Sequence, residues 1–205
     1  DEGQDYYKAM ACASNMAFAN RQVITHRIRE AFSSIFKKTQ EQMEMNLVYD
    51  VAHNIAKVEE HKIDNKIKKV VVHRKGATRA FPPKHRELCP KYRSVGQPVI
   101  LGGSMETGSH LLVGTQKAMD ETFGSTAHGS GRTMSRTKAK QEFKGKELQE
   151  QMMKKGIYVR SSSMNGLAEE AGKAYKDINS VVDILDAYGI ARKVVGFNPI
   201  GNVKG

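Results

Sequence analysis

The chain has 205 residues, enough for one sizeable domain or two small ones, each with a packed core. Its 39% hydrophobic and 27% charged content is that of a globular protein, and no apolar run reaches the roughly 20 residues that a membrane-crossing helix needs. A net charge of +11, with a pI near 9.6, argues against cationic partners and favours polyanions: nucleic acid first, anionic small molecules second.

The opening DEGQDYYKAM lacks the charged-then-apolar pattern of a secretory signal, so a soluble, cytoplasmic protein without a membrane partner is expected. From Tyr6 to about Phe36 apolar residues recur at helical spacing without proline or glycine, which predicts a long helix whose apolar side needs a partner. Cys12 and Cys89 form no C-x-x-C pair and are expected to be buried free thiols. Met43 to Val51 has the pattern of a buried strand, and AHNIAKVEEH reads as a loop or short helix. HKIDNKIKKVVVHRK predicts a hairpin turning at Asp64–Asn65, with His61 and His73 packing across it. Gly76 to Gly96 is a long loop. QPVILGG and HLLVGT are short strands, and TQKAMDETF is a brief helix. Gly145 to Lys155 is a helix stopped at Gly156, GIYVRSS is a strand, Asp177 caps a helix to Tyr188, and ARKVVGFNPIG is a final strand. The methionine-rich stretches MEM and QMMKK are expected in the core. Helices and strands interleave without a βαβ period, so the fold class is α+β: a mixed β-sheet core flanked by helices, in a single domain over 1–205.

Chemistry concentrates in GSTAHGSGRTMSRTKAK, residues 124–140. Glycines beside His128 remove side-chain bulk, so a large substrate atom can approach the imidazole, and free backbone N–H groups can cradle an anion. A helix beginning near Gly131 or Thr133 would add its N-terminal partial charge, and Arg132 and Arg136, one turn apart, would fork onto phosphate oxygens. The bland reading is a glycine turn with an incidental histidine and a solvated basic helix. An imidazole facing phosphate can act as an acid–base group or as a nucleophile that forms a phosphoramidate.

The strings VYDVAHNIAK, HRKGATRAFPP, VILGGSMETGSHLLVGT, TFGSTAHGSGR and NPIGNVKG, in that order, resemble the RtcB-type RNA-splicing ligases from about Tyr6 to Gly205. The resemblance implies the C-terminal portion of such an enzyme: a GTP- and manganese-dependent ligase joining an RNA 3′-phosphate or 2′,3′-cyclic phosphate end to a 5′-OH end, as in tRNA splicing and RNA repair. It implies that His128 is the guanylylated histidine, that His53 is a manganese ligand, and that Ser104, Ser109, Gly129, Ser130, Gly131, Tyr175 and Lys204 line the nucleotide site. Lys75, Arg132 and Arg136 then face the RNA end. Glu106 departs from the family's usual glycine and sets a carboxylate beside the nucleotide site, where it would repel phosphate or point outward. The remaining metal ligands belong to an N-terminal region of the family, so that region, or a partner chain supplying it, is expected for ligation. The alternatives are a non-catalytic RNA-binding or assembly module and a plain nucleotide-binding domain.

Overall fold

The computed structural model describes residues 1–204. The chain falls into two compact units, Asp1–Arg79 and the stretch from Ala80 onward. The class is α+β, as the interleaved pattern predicts, although the strands form several small sheets in place of one mixed sheet.

The first unit opens with helix α1, Glu2–Phe36. Asp1 caps it by accepting the Gln4 N–H at 2.9 Å, and Glu2 and Asp5 place negative charge on its positive end. Lys37, in the left-handed region at φ 55°, ends it. Only Ser14 of the helix is buried, and Met16, Val23, Ile24, Ile28, Phe32 and Ile35 are exposed. The stretch expected as a buried strand, Met43 to Val51, is irregular instead. Arg29 donates twice to the Met45 carbonyl, at 2.8 and 3.1 Å, and Arg21 pairs with Asp50 at 2.7 Å. Arg29 takes the Met45 carbonyl that a ladder would otherwise use, and Leu47 and Val48 stay exposed.

Strands β1, Asn54–Ile63, and β2, Lys66–Lys75, form an antiparallel ribbon closed by Asp64 and Asn65 at φ 51° and 60°, the geometry of a two-residue type I′ turn. The first strand begins well before the predicted hairpin and absorbs AHNIAKVEEH. Its inward positions carry Glu59 and His61, polar residues that hide the alternation of a half-buried strand. His61 pairs opposite Lys68 while His73 pairs opposite Ala56, so the two histidines occupy opposite faces and do not meet. His73 stacks on Tyr6, its ring centroid 6.2 Å away. The short strand β3, Ala77–Arg79, ends the unit.

In the second unit β4, Pro98–Gly102, β5, Ser109–Gly114, and β8, Ala191–Phe197, form an antiparallel sheet in the order β4–β5–β8. Helix α6, Ile178–Ala187, is capped by Asp177 and lays Ile178 and Val182 on Val99, Leu101 and Leu112. Helices α2, Gln116–Glu121, and α3, Arg136–Glu142, flank the short strand β6, Ser125–Ala127, in chain order. A second core gathers Leu148 and Met152 of α4, Gly145–Lys154, with Val159 of β7, Tyr158–Ser161, and Leu167 of α5, Met164–Glu169. Strand β9, Gly201–Lys204, pairs in parallel with β7. Met152 is core as expected, whereas Met153 is exposed, and Cys12 and Cys89 are free but exposed rather than buried.

Candidate functional site

Strand β6 delivers the chain directly into His128, whose loop is fastened to the end of β4 through main-chain atoms. Gly102 N–H donates to the His128 carbonyl at 3.1 Å, and Ser130 N–H donates to the Gly102 carbonyl at 2.8 Å. This parallel bridge sets Gly102 opposite Gly129, where a Cβ on Gly129 would lie a tight 3.1 Å from the Gly102 oxygen. Gly131 turns the chain at φ 79°. His128 is half-buried, and the hydroxyls of Thr126 and Ser130 are buried with no hydrogen-bond partner among the described residues.

The basic stretch that follows does not start a helix at Gly131 or Thr133. Helix α3 begins at Arg136, because Ser135 is the residue whose hydroxyl accepts a helix N–H, that of Lys138 at 3.1 Å. Arg132 therefore precedes the helix and does not share a face with Arg136. Its guanidinium donates to the Met134 carbonyl at 3.0 Å, to the Tyr175 hydroxyl at 2.8 Å and to the Glu169 carbonyl at 2.7 Å, and lies 4.8 Å from the centroid of the Tyr175 ring. Main-chain bonds from Lys176 N–H to the Gly131 carbonyl (2.9 Å) and from Thr133 N–H to the Ala174 carbonyl (2.8 Å) run beside it. Tyr175 donates in turn to Glu170 at 2.8 Å. Burial, reinforced by the Glu170 carboxylate, pushes the Tyr175 phenol up against the opposing pull of Arg132. Arg136 is exposed and 3.5 Å from Glu169, whose carboxyl is held low chiefly by a hydrogen bond from Lys140 at 2.9 Å.

Between β4 and β5 the chain makes a tight serine turn. Ser104 N–H donates to the Thr107 hydroxyl at 2.9 Å, and Glu106 N–H donates to the Ser104 hydroxyl at 3.1 Å. A Cβ on Gly103 would stand 2.5 Å from the Thr107 hydroxyl, so the turn closes on bare backbone. The Glu106 carboxylate does not stand loose beside the turn. It accepts from Lys155 at 3.0 Å and from the Gly172 N–H at 3.1 Å. Ser109 opens β5, paired with Gly102 and Phe197. Backbone pairing sets Lys204 opposite Ser161, and the Lys204 side chain lies outside the described part of the structure. The segment 169–176 thus touches the serine turn on one side and the histidine loop on the other, which links Ser104, Tyr175, Arg132 and His128 through consecutive contacts.

In the first unit the open end of the β1–β2 ribbon carries His53 and Lys75, both exposed, with Gly76 N–H donating to the His53 carbonyl at 2.9 Å. Beneath the same ribbon Glu59, Arg74 and His61 are buried together. Arg74 forks onto Glu59 at 2.7 and 2.8 Å, and the His61 Nε2 lies 3.0 Å from the same carboxylate. Burial pushes the Glu59 carboxyl up, but hydrogen bonds from Arg74 and His61 outweigh it and hold the group below the ordinary range. Among the described residues no group of three His, Cys, Asp or Glu side chains converges, so a manganese ion would find in His53 one imidazole and not a full ligand set.

Sequence reasoning missed the Glu59–Arg74–His61 cluster and the acceptors Glu169 and Glu170. One signal was available for the Glu106 contact: Gly172, where a Cβ would come within 2.7 Å of Glu106 Oε1.

Comparison with known proteins shows the family to which the chain is similar. The family described as tRNA-splicing ligase RtcB matches residues 1–205. A protein named tRNA-splicing ligase RtcB from Methanococcus maripaludis is 56% identical over 205 residues, the whole of this chain and 43% of its own length. Proteins of the same name from Pyrococcus abyssi and Thermococcus kodakarensis are 53% and 52% identical over the whole chain, which covers 22% and 42% of their lengths. The chain therefore spans less than half the length of these relatives. No helix among the described residues is long and apolar enough to cross a membrane. With a match that runs from the first residue to the last, the chain belongs to the tRNA-splicing ligase RtcB family.

Proposed function

We propose that the chain carries the nucleotide-transfer part of an RNA ligase that activates RNA ends with GTP. The observation that carries this reading is the His128 loop: an imidazole presented between glycines, pinned by main-chain bonds to Gly102, next to a buried Ser130 hydroxyl with no partner among the described residues. Such a site has unspent hydrogen-bonding capacity for a phosphate, and the net charge of +11 draws polyanions toward it.

In the proposed reaction a lone-pair nitrogen of His128 attacks the α-phosphorus of GTP. An N–P bond forms, the bond from that phosphorus to the bridging oxygen breaks, and pyrophosphate leaves with the electron pair. An RNA 3′-phosphate oxygen then takes the guanylyl group, breaking the N–P bond and restoring the imidazole. Finally the 5′-hydroxyl oxygen attacks the 3′-phosphorus, GMP departs, and the hydroxyl proton passes to solvent. A 2′,3′-cyclic end would first be opened by water to the 3′-phosphate. Ser104, Ser109, Gly129, Ser130, Gly131, Tyr175 and Lys204 are the proposed nucleotide contacts. Lys75 and Arg136 are the proposed contacts to the RNA end, and Arg132 braces Tyr175 while keeping further N–H groups for phosphate. His53 would supply one manganese ligand, and the others must come from outside this chain, so no step here is routed through the metal. RNA and the part of the ligase that its relatives carry are the proposed partners.

The second reading, an RNA-binding or assembly module, is favoured by the lack of a converging metal-ligand group among the described residues. The two separate in one experiment with α-labelled GTP and Mn²⁺, with and without the portion of the ligase that relatives add. An acid-labile protein label that disappears in His128→Ala supports transfer. Salt-sensitive RNA binding with no label in either mixture sinks transfer and leaves the module.

A further inference from the structure

Glu106 lies next to the proposed nucleotide contacts Ser104 and Ser109, yet its carboxylate is spent on the protein itself. One oxygen accepts the Gly172 N–H at 3.1 Å, the other accepts Lys155 at 3.0 Å, and the residue's own N–H donates to the Ser104 hydroxyl at 3.1 Å. Gly172 approaches so closely that a Cβ there would meet the carboxylate at 2.7 Å and the Ser104 hydroxyl at 3.3 Å. Three residues further on stands Tyr175, locked to Arg132 of the histidine loop. The serine turn, the 169–176 segment and the histidine loop are thus joined in series, and the Glu106 side chain makes the first join.

We propose that Glu106 is a positioning residue: a clasp that fixes the serine turn to the segment bearing Tyr175 and so sets the affinity for GTP. This deepens the ligase reading and rests on it for its nucleotide half. The charge works in favour of binding and not against it. The Lys155 ammonium offsets the carboxylate, and a charge-assisted bond to the Gly172 amide holds better than a neutral one. An acid that merely stood near the phosphates would repel them, so the two roles predict opposite signs on removal.

The test measures amide exchange at Gly172 together with equilibrium GTP binding, in the intact protein, for Glu106→Ala, Glu106→Gln and Lys155→Met. The clasp predicts faster exchange at Gly172 in Glu106→Ala and GTP binding weakened about tenfold, the scale of one lost bond to a charged group. Glu106→Gln keeps an acceptor for the amide and falls between, which also covers an alanine variant that fails to fold, and Lys155→Met moves both readouts the same way by less. Unchanged exchange at Gly172 overturns the clasp. Faster exchange with unaltered or tighter GTP binding overturns the positioning role and makes Glu106 structural or repulsive. If the unsubstituted protein takes up no GTP while Gly172 still exchanges faster in Glu106→Ala, the ligase reading falls and the clasp itself stands.

Discussion

The β1–β2 ribbon and the His128 loop both end in an exposed or half-exposed histidine, but they are held by different means. Under the ribbon three charged or polar side chains sit inside the protein, with Arg74 and the His61 Nε2 both bonded to the Glu59 carboxylate. At the His128 loop the joints are main-chain bonds from Gly102 to His128 and Ser130, with Gly102 facing Gly129. The first kind of support fails when a charge is lost, because the remaining charge is left buried without compensation. The second is crowded at one point, since a carbon added at Gly129 would lie 3.1 Å from the Gly102 oxygen.

Glu59→Ala should have the largest effect. It strands the buried Arg74 guanidinium and should cost about 3–5 kcal/mol, read from the urea midpoint. A loss below about 1 kcal/mol would show that the ribbon does not depend on its charges. Acid should act on the same point. The Glu59 carboxyl is held below 4.5 in the folded protein, so its stabilisation is complete above that pH and drains away as pH falls through the lowered value. Amide exchange across β1 and β2 should rise there, and Glu59→Gln should flatten the response. Gly114→Ala carries the opposite kind of insult. Its Cβ would lie 2.3 Å from the Ala80 carbonyl carbon, and about 1–3 kcal/mol of overpacking should appear in thermal unfolding with no new dependence on pH. Asp177→Ala removes the cap of α6, whose oxygen takes the Ser180 N–H at 2.8 Å, for about 1 kcal/mol by the same melt. Ser130→Ala should be the mildest in stability, within about 0.5 kcal/mol, since its buried hydroxyl gives up no bond to the described residues. A drop in GTP affinity in that variant without a drop in melting temperature would separate ligand contact from packing.

Much of the second unit is legible in the sequence because its signals are local. Thr115 and Asp177 are cap residues ahead of periodic apolar stretches, Gly156 adopts a positive φ just past α4, and Val99, Leu101 and Leu112 fall on the alternation of short strands. The ribbon's turn is equally plain, as Asp64–Asn65 can adopt the two positive φ values required. What escapes is whatever depends on distant partners. Glu59 falls in a stretch that reads as a loop or short helix, and His61 reads as packing against His73, because polarity conceals burial when Arg74 lies fifteen positions from Glu59. Leu47 and Val48 read as core because nothing in their own neighbourhood reveals that Arg29 and Arg21 hold that stretch in an irregular path. At the site, His128 and its glycines stand out in the sequence. The role of Arg132 as a brace and the tie between Glu106 and Gly172 arise only when segments 37 and 66 positions apart are brought together.

A scaffold whose joints are mostly glycine carries few places where heritable variation can retune what it accepts. Around the histidine, position 103 is closed to larger residues by its neighbours and position 129 is tight, whereas the buried hydroxyl at 130 makes no bond to the described residues, so 130 is where chemistry can be rewritten with least disturbance of the frame. Diversifying that one codon should shift nucleotide affinity in clones that stay folded, and diversification at position 103 should return destabilised ones.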